Sequence, residues 1–106
     1  MDAMAALADP VRRRIVELLA DGERAAGEIA ANFDVTGPAI SRHLRVLRES
    51  GVATYRREAQ RWVYALNPDA ITEVDRWMRD TLLRWQKRFD ALGAHLDDMA
   101  KEEETR

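Results

Sequence analysis

Each of the three prolines in this 106-residue chain follows closely on a side chain able to cap a helix. The stretches are Asp9-Pro10, Thr36-Gly37-Pro38 and Asn67-Pro68-Asp69. A cap oxygen accepts one of the free N–H groups of a first turn, and proline fits there because that turn has no use for its missing N–H. Three helix starts therefore divide the chain. After the first, Val11, Ile15, Leu18 and Leu19 recur at helical spacing, and Gly22 stops the run. A shorter helix over about 25–32 buries Ile29 and leads to Phe33. Asp34-Val35 then makes a tight connection to a helix of about 38–50, with Gly51 as its stop. Two helices joined by so short a turn form a helix-turn-helix.

Beyond Gly51 the pattern changes to VATYRREAQRWVYAL. Val52, Thr54, Tyr55, Trp62, Val63 and Tyr64 favour strands, and Arg56 to Arg61 form a polar tip, so a hairpin is expected over about 54–64. From Asn67-Pro68 a long helix continues toward Met99. Its apolar stripe is Ile71, Val74, Met78, Leu82, Trp85, Phe89, Leu92, Leu96 and Met99, each step three or four residues. The tail KEEETR is expected to fray. The fold class is mainly α with a two-stranded wing: four helices, two strands and a final long helix. The reading is one winged helix-turn-helix domain over 1–106, with a core of about 9–66 and a long C-terminal helix of about 69–100.

Charge is distributed unevenly. The formal net charge is only −2, yet residues 36–66 hold six arginines against two glutamates, while 1–35 and 67–106 each carry −3. Local field rather than net charge steers a polyanion. On the 38–50 helix, Ile40, Leu44 and Leu47 share the face that packs inward, and Ser41, Arg42, Arg45 and Arg48 lie elsewhere. Arginine suits bidentate contact with guanine or phosphate, and a major groove about 12 Å wide admits one such helix. Arg56, Arg57 and Arg61 on the wing would touch phosphates or an adjacent minor groove. Few carboxylates are visible across either element.

The run LADPVRRRIVELLADGERAAGEIAANFDVTGPAISRHLRVLRESGV resembles the ArsR-type (arsenic-repressor-like) transcriptional regulators, in particular the metal-independent branch. The likeness extends through the wing to Trp62-Val63-Tyr64-Ala65-Leu66-Asn67-Pro68. It implies a dimeric winged-helix repressor that binds an imperfect inverted repeat near a promoter, with double-stranded DNA and a second copy of the chain as partners. It also implies that Gly37, Pro38, Ser41 and Arg42 face bases, and that Thr36, His43 and Arg45 serve as cap or backbone contacts. Many family members carry polar side chains where Gly37 and Pro38 stand, so direct readout here rests on Ser41 and Arg42. A wing turn that often contains glycine reads Glu58-Ala59-Gln60. His43 has two readings of equal weight, local packing and DNA contact.

The composition excludes much else. There is no cysteine, so disulfides, thiolate metal sites and cysteine nucleophiles are ruled out. His95 and Asp98 sit at helical spacing, but one His and one Asp cannot complete a four-coordinate zinc site unless two subunits contribute. The expectation is no metal and no cofactor. No phosphate-binding glycine loop, serine elbow or His-carboxylate constellation points to an enzyme. Arg12-Arg13-Arg14 could reach DNA backbone, pair with Glu17 or be solvated, and the structural roles are preferred. With no membrane-length apolar run and no basic signal start, a cytoplasmic protein is expected.

The C-terminal stripe argues for pairing. From Ile71 to Met99 it runs 29 residues, about 43 Å at 1.5 Å per residue. A core of some 60 residues is only about 25 Å across. Met78, Leu82, Trp85, Phe89 and Leu92 therefore need a second copy as cover, aided by the N-terminal Met1-Met4-Leu7 segment. A fold-back at Gly93 is the lesser option. A protein-interaction module using the Trp-rich helix, with vestigial DNA binding, is the alternative function. The sequence assigns no inducer.

Overall fold

A computed structural model describes residues 2–104, and its helices open where the capping chemistry places them. Asp2 accepts the Ala5 N–H at 2.8 Å to start a short α1 (Ala3–Ala6). Asp9 accepts the Arg12 N–H at 3.0 Å ahead of α2 (Pro10–Ala20). Thr36 Oγ1 accepts the Ala39 N–H at 3.3 Å ahead of α4 (Gly37–Glu49). Between α2 and α4 lies α3 (Ala26–Ala30), preceded by a two-residue strand β1 (Arg24–Ala25). The hairpin follows as β2 (Ala53–Glu58) and β3 (Arg61–Leu66), then α5 (Pro68–Glu104).

The expected hairpin forms, with Tyr55 opposite Tyr64 and Glu58 opposite Arg61. Only Ala59 and Gln60 connect the strands, and Ala59 takes a left-handed φ of 56°, the conformation a glycine would accept without strain. The short strand β1 was not expected. It adds to the free edge of β3, pairing Arg24 with Tyr64 and Ala25 with Val63, and gives a three-stranded antiparallel sheet ordered β1-β3-β2.

Ile15, Ile29, Leu47 and Val52 are wholly enclosed, joined by Leu19, Ile40, Leu44 and Tyr64. The predicted inner face of α4 is thus the buried one. Each such side chain contributes about 1.5–3 kcal/mol by leaving water. Ala6 is also wholly enclosed, and Leu7 packs against this core, so α1 belongs to it. Met4 is exposed; Met1 lies outside the described residues.

Asn67 fastens three elements. Its N–H donates to the Val52 carbonyl at 2.9 Å, its side-chain amide donates to the Gly51 carbonyl at 2.8 Å, and its Oδ1 accepts the Asp69 N–H at 3.2 Å. Gly51, at φ 78°, follows the last turn of α4 as the left-handed stop the sequence suggested.

Internal contacts divide the chain into two units that part between Val74 and Asp75, inside α5. Helix α5 is continuous through Gly93, which removes the fold-back, and it holds through Glu104, so residues 101–104 of the acidic tail are helical rather than frayed. In the second unit the stripe is open: Met78, Leu82, Trp85, Phe89, Leu92, Leu96 and Met99 are all exposed. Among the described residues no helix is long and apolar enough to cross a membrane.

Candidate nucleic-acid interface

Helix α4 is held from beneath and from one side. Beneath it are Ile40, Leu44 and Leu47 in the core. On its side, His43 Nδ1 stands 3.3 Å from an Arg12 guanidinium nitrogen and 3.8 Å from the Asp9 carboxylate. Arg12 also donates through Nε to the Ala6 carbonyl at 2.7 Å. Asp9 is held below the usual carboxylate range, foremost by the Arg12 N–H bond and further by the charges of His43 and Arg12, against a partial opposing cost of burial. Of the two readings of His43, this geometry supplies the local one: its Nδ1 faces α2. Arg12 is likewise structural, and Arg14 pairs with Glu17 at 3.1 Å, while Arg13 is exposed.

The outward face of α4 carries Pro38, Ser41, Arg42, Arg45 and Glu49, each three or four residues from another on the neighbouring turn. Arg45 Nε donates to Glu49 at 2.8 Å, an i,i+4 pair. Ser41 and Arg42 are exposed and have no side-chain partner among the described residues. Arg48 lies over the Tyr55 ring at 4.6 Å from its centroid, a cation–π contact that joins the end of α4 to the wing.

Strand alternation gives the wing two chemically different faces. Tyr55 and Arg57 point one way, opposite Tyr64 and Trp62. There Tyr55 stacks with Tyr64 at 5.8 Å and lies 5.1 Å from Trp62, and Arg57 sits over Trp62 at 5.3 Å without a carboxylate. Arg56, Glu58 and Arg61 occupy the other side. Arg56 makes a two-pronged bond to Glu23, both contacts at 2.9 Å, and a third to Glu58 at 2.8 Å. Arg61 reaches Glu28 at 3.5 Å and Glu58 at 3.8 Å. Arg56 accordingly depresses the Glu23 pKa, mainly by hydrogen bonding.

The apparent scarcity of carboxylates around the basic segment therefore needs correcting. Pairing of β1 with β3 brings Glu23 and Glu28, 33 residues away in the chain, against the wing arginines. A two-residue strand has no periodicity to betray it, so nothing in the sequence pointed to these acids. Among the described residues, Arg42, Arg48 and Arg57 are the arginines of α4 and the wing that form no salt bridge. No group of three or more His, Asp or Glu among the described residues is gathered to hold a metal ion, and His95 and Asp98 stand exposed on α5.

The helix-turn-helix is also what comparison with known proteins returns. Residues 9–55 match the family described as bacterial regulatory protein, arsR family. The chain belongs to the ArsR family. It is similar to the transcriptional repressor SdpR of Bacillus subtilis, 38% identical over 73 residues that cover 69% of this chain and 81% of that protein. The HTH-type transcriptional regulator Rv2034 of Mycobacterium tuberculosis is 39% identical over 95 residues, 86% of this chain and 89% of the relative. The crystal structure of an ArsR family transcriptional regulator superimposes with a TM-score of 0.74 at 28% identity, covering 78% of this chain and 91% of that one. As an ArsR-family protein the chain is a DNA-binding transcriptional regulator with a winged-helix fold, and not an enzyme.

Proposed function

We propose that this ArsR-family chain is a homodimeric repressor that binds an imperfect inverted repeat near a promoter, acting in the cytoplasm with residues 1–106 as one winged-helix module. The 38–50 helix enters the major groove, and the wing of about 54–64 lies against phosphates or the adjoining minor groove. The observation that carries this reading is Arg42: exposed, unpaired, and held on a helix whose opposite face is locked into the core. Gly37, Pro38, Ser41 and Arg42 face bases in this arrangement, and Arg48 and Arg57 meet phosphates. Thr36 keeps its cap. Arg45, Arg56 and Arg61 reach DNA only by leaving Glu49, Glu23, Glu28 and Glu58.

Pairing of subunits covers the open stripe of Met78, Leu82, Trp85, Phe89 and Leu92, with Met4 and Leu7 at its margin. Phe89 is 62% exposed and Trp85 61% in the single chain, a large apolar surface that a second copy removes from water. Two-fold pairing would set two reading helices one duplex turn apart, about 34 Å. The relatives named as repressors support the direction of regulation.

A gel shift against the chain's own upstream region tests this. The expected result is a retarded band whose affinity falls steeply with salt, as counterion release requires. Arg42→Ala should cost about 1–3 kcal/mol if it reads a base. Flat binding across random duplexes at physiological salt would favour a protein-interaction role for the Trp-rich helix instead.

A further inference from the structure

The first turn of α4 is poor in hydrogen-bond donors. Thr36 Oγ1 takes the Ala39 N–H at 3.3 Å, and the Thr36 carbonyl takes that of Ile40 at 3.1 Å. Pro38 has none. Gly37 alone keeps an unspent amide among the four. A helix start of this kind offers little to phosphate or to an acceptor atom on a base. What it does present is carbon: the Pro38 ring is exposed, Val35 is 42% exposed, and Ala39 is half-buried beside them.

Gly37 sharpens this reading. A Cβ placed there would meet nothing within 4 Å, and its φ is not in the left-handed region. The fold itself therefore does not need glycine at that position, and glycine weakens a helix relative to alanine. Its bare backbone is suited to letting something come close from outside. In a major groove the one apolar group that base edges display is the 5-methyl of thymine.

Resting on the major-groove reading above, we propose that the Pro38 surface, flanked by Val35 and admitted by Gly37, recognises thymine 5-methyl groups, so that each operator half-site holds a thymine near the guanine read by Arg42. Pro38 and Arg42 are four residues apart on one helix face, about 6 Å along the axis. That distance corresponds to about two steps of 3.4 Å in the duplex. The turn thus fixes both the base and its place relative to the arginine contact.

The test uses the full chain and an operator selected from a randomised duplex pool. Single thymines are replaced by deoxyuridine, which removes only the methyl, and affinity is read by fluorescence anisotropy. One or two positions per half-site, within about two steps of the Arg42-dependent guanine, should weaken binding about fourfold, the factor one buried methyl gives. The same replacements in Pro38→Ser should carry no such penalty. Uniform indifference of the native chain to deoxyuridine, or a penalty undiminished in Pro38→Ser, overturns the inference while leaving operator binding intact. Failure of the underlying reading looks different: no sequence is enriched from the pool, and both proposals fall.

Discussion

Helix α4 and the wing carry three arginines each, yet they hold that charge in opposite ways. On α4 only Arg45 is tied to a carboxylate, Glu49 of the next turn. On the wing, Arg56 and Arg61 are both engaged by Glu23, Glu28 and Glu58, and only Arg57 escapes. Counting basic residues gives the two elements equal weight as DNA contacts. Their surroundings make α4 the open cation and the wing largely a neutralised one. A phosphate approaching Arg56 or Arg61 must displace carboxylates already in place, whereas one approaching Arg42 displaces none.

The first way to break this contrast is to remove what holds α4. Leu47 is wholly enclosed, and Leu47→Ala should destabilise the fold by about 2–5 kcal/mol in urea denaturation. A loss below 1 kcal/mol would mean that α4 is not anchored as described. Next in size is the arginine comparison itself. Arg42→Ala is expected to lower operator affinity by about 1–3 kcal/mol, and Arg56→Ala by distinctly less, both followed by anisotropy across a salt series. Equal losses would erase the distinction between the two elements.

A smaller effect concerns the Asp9 cap and its tie to His43. Asp9→Ala should cost about 1 kcal/mol at neutral pH. The folded pKa of Asp9 lies below its unfolded value, so its contribution is complete above about pH 4 and fades as pH falls through the folded value. Denaturation curves of native and variant chains should therefore converge on acidification, and a constant gap would assign the loss to something other than the carboxylate. The smallest effect expected is that of Glu23→Gln. Freeing Arg56 should steepen the logarithmic salt dependence of DNA binding by about one, with the fold unchanged by circular dichroism. An unaltered slope would show that Arg56 remains masked by Glu58.

Much of this architecture is legible in the amino-acid order because it rests on local chemistry. Asp9, Thr36 and Asn67 announce helix starts through bonds to residues two or three positions on, and Ile40, Leu44 and Leu47 declare the buried face by spacing alone. What stayed hidden depends on contacts between distant segments. The Glu23–Arg56 bond exists because β1 joins β3, and the Arg12–His43 contact because α2 packs beside α4. Neither leaves a trace in periodicity. The partial packing of Leu7 on its own core was equally invisible to spacing. The spacing of the α5 stripe marked an apolar face, and that face is open in the single chain.

The side chain of Asn67 acts as a rivet between two helices. One end grips the carbonyl that closes α4, and the other supplies the oxygen on which the opening turn of α5 hangs. The opening of the long helix and the close of the helix that bears Arg42 are thereby stitched together by polar bonds as well as through the hydrophobic interior.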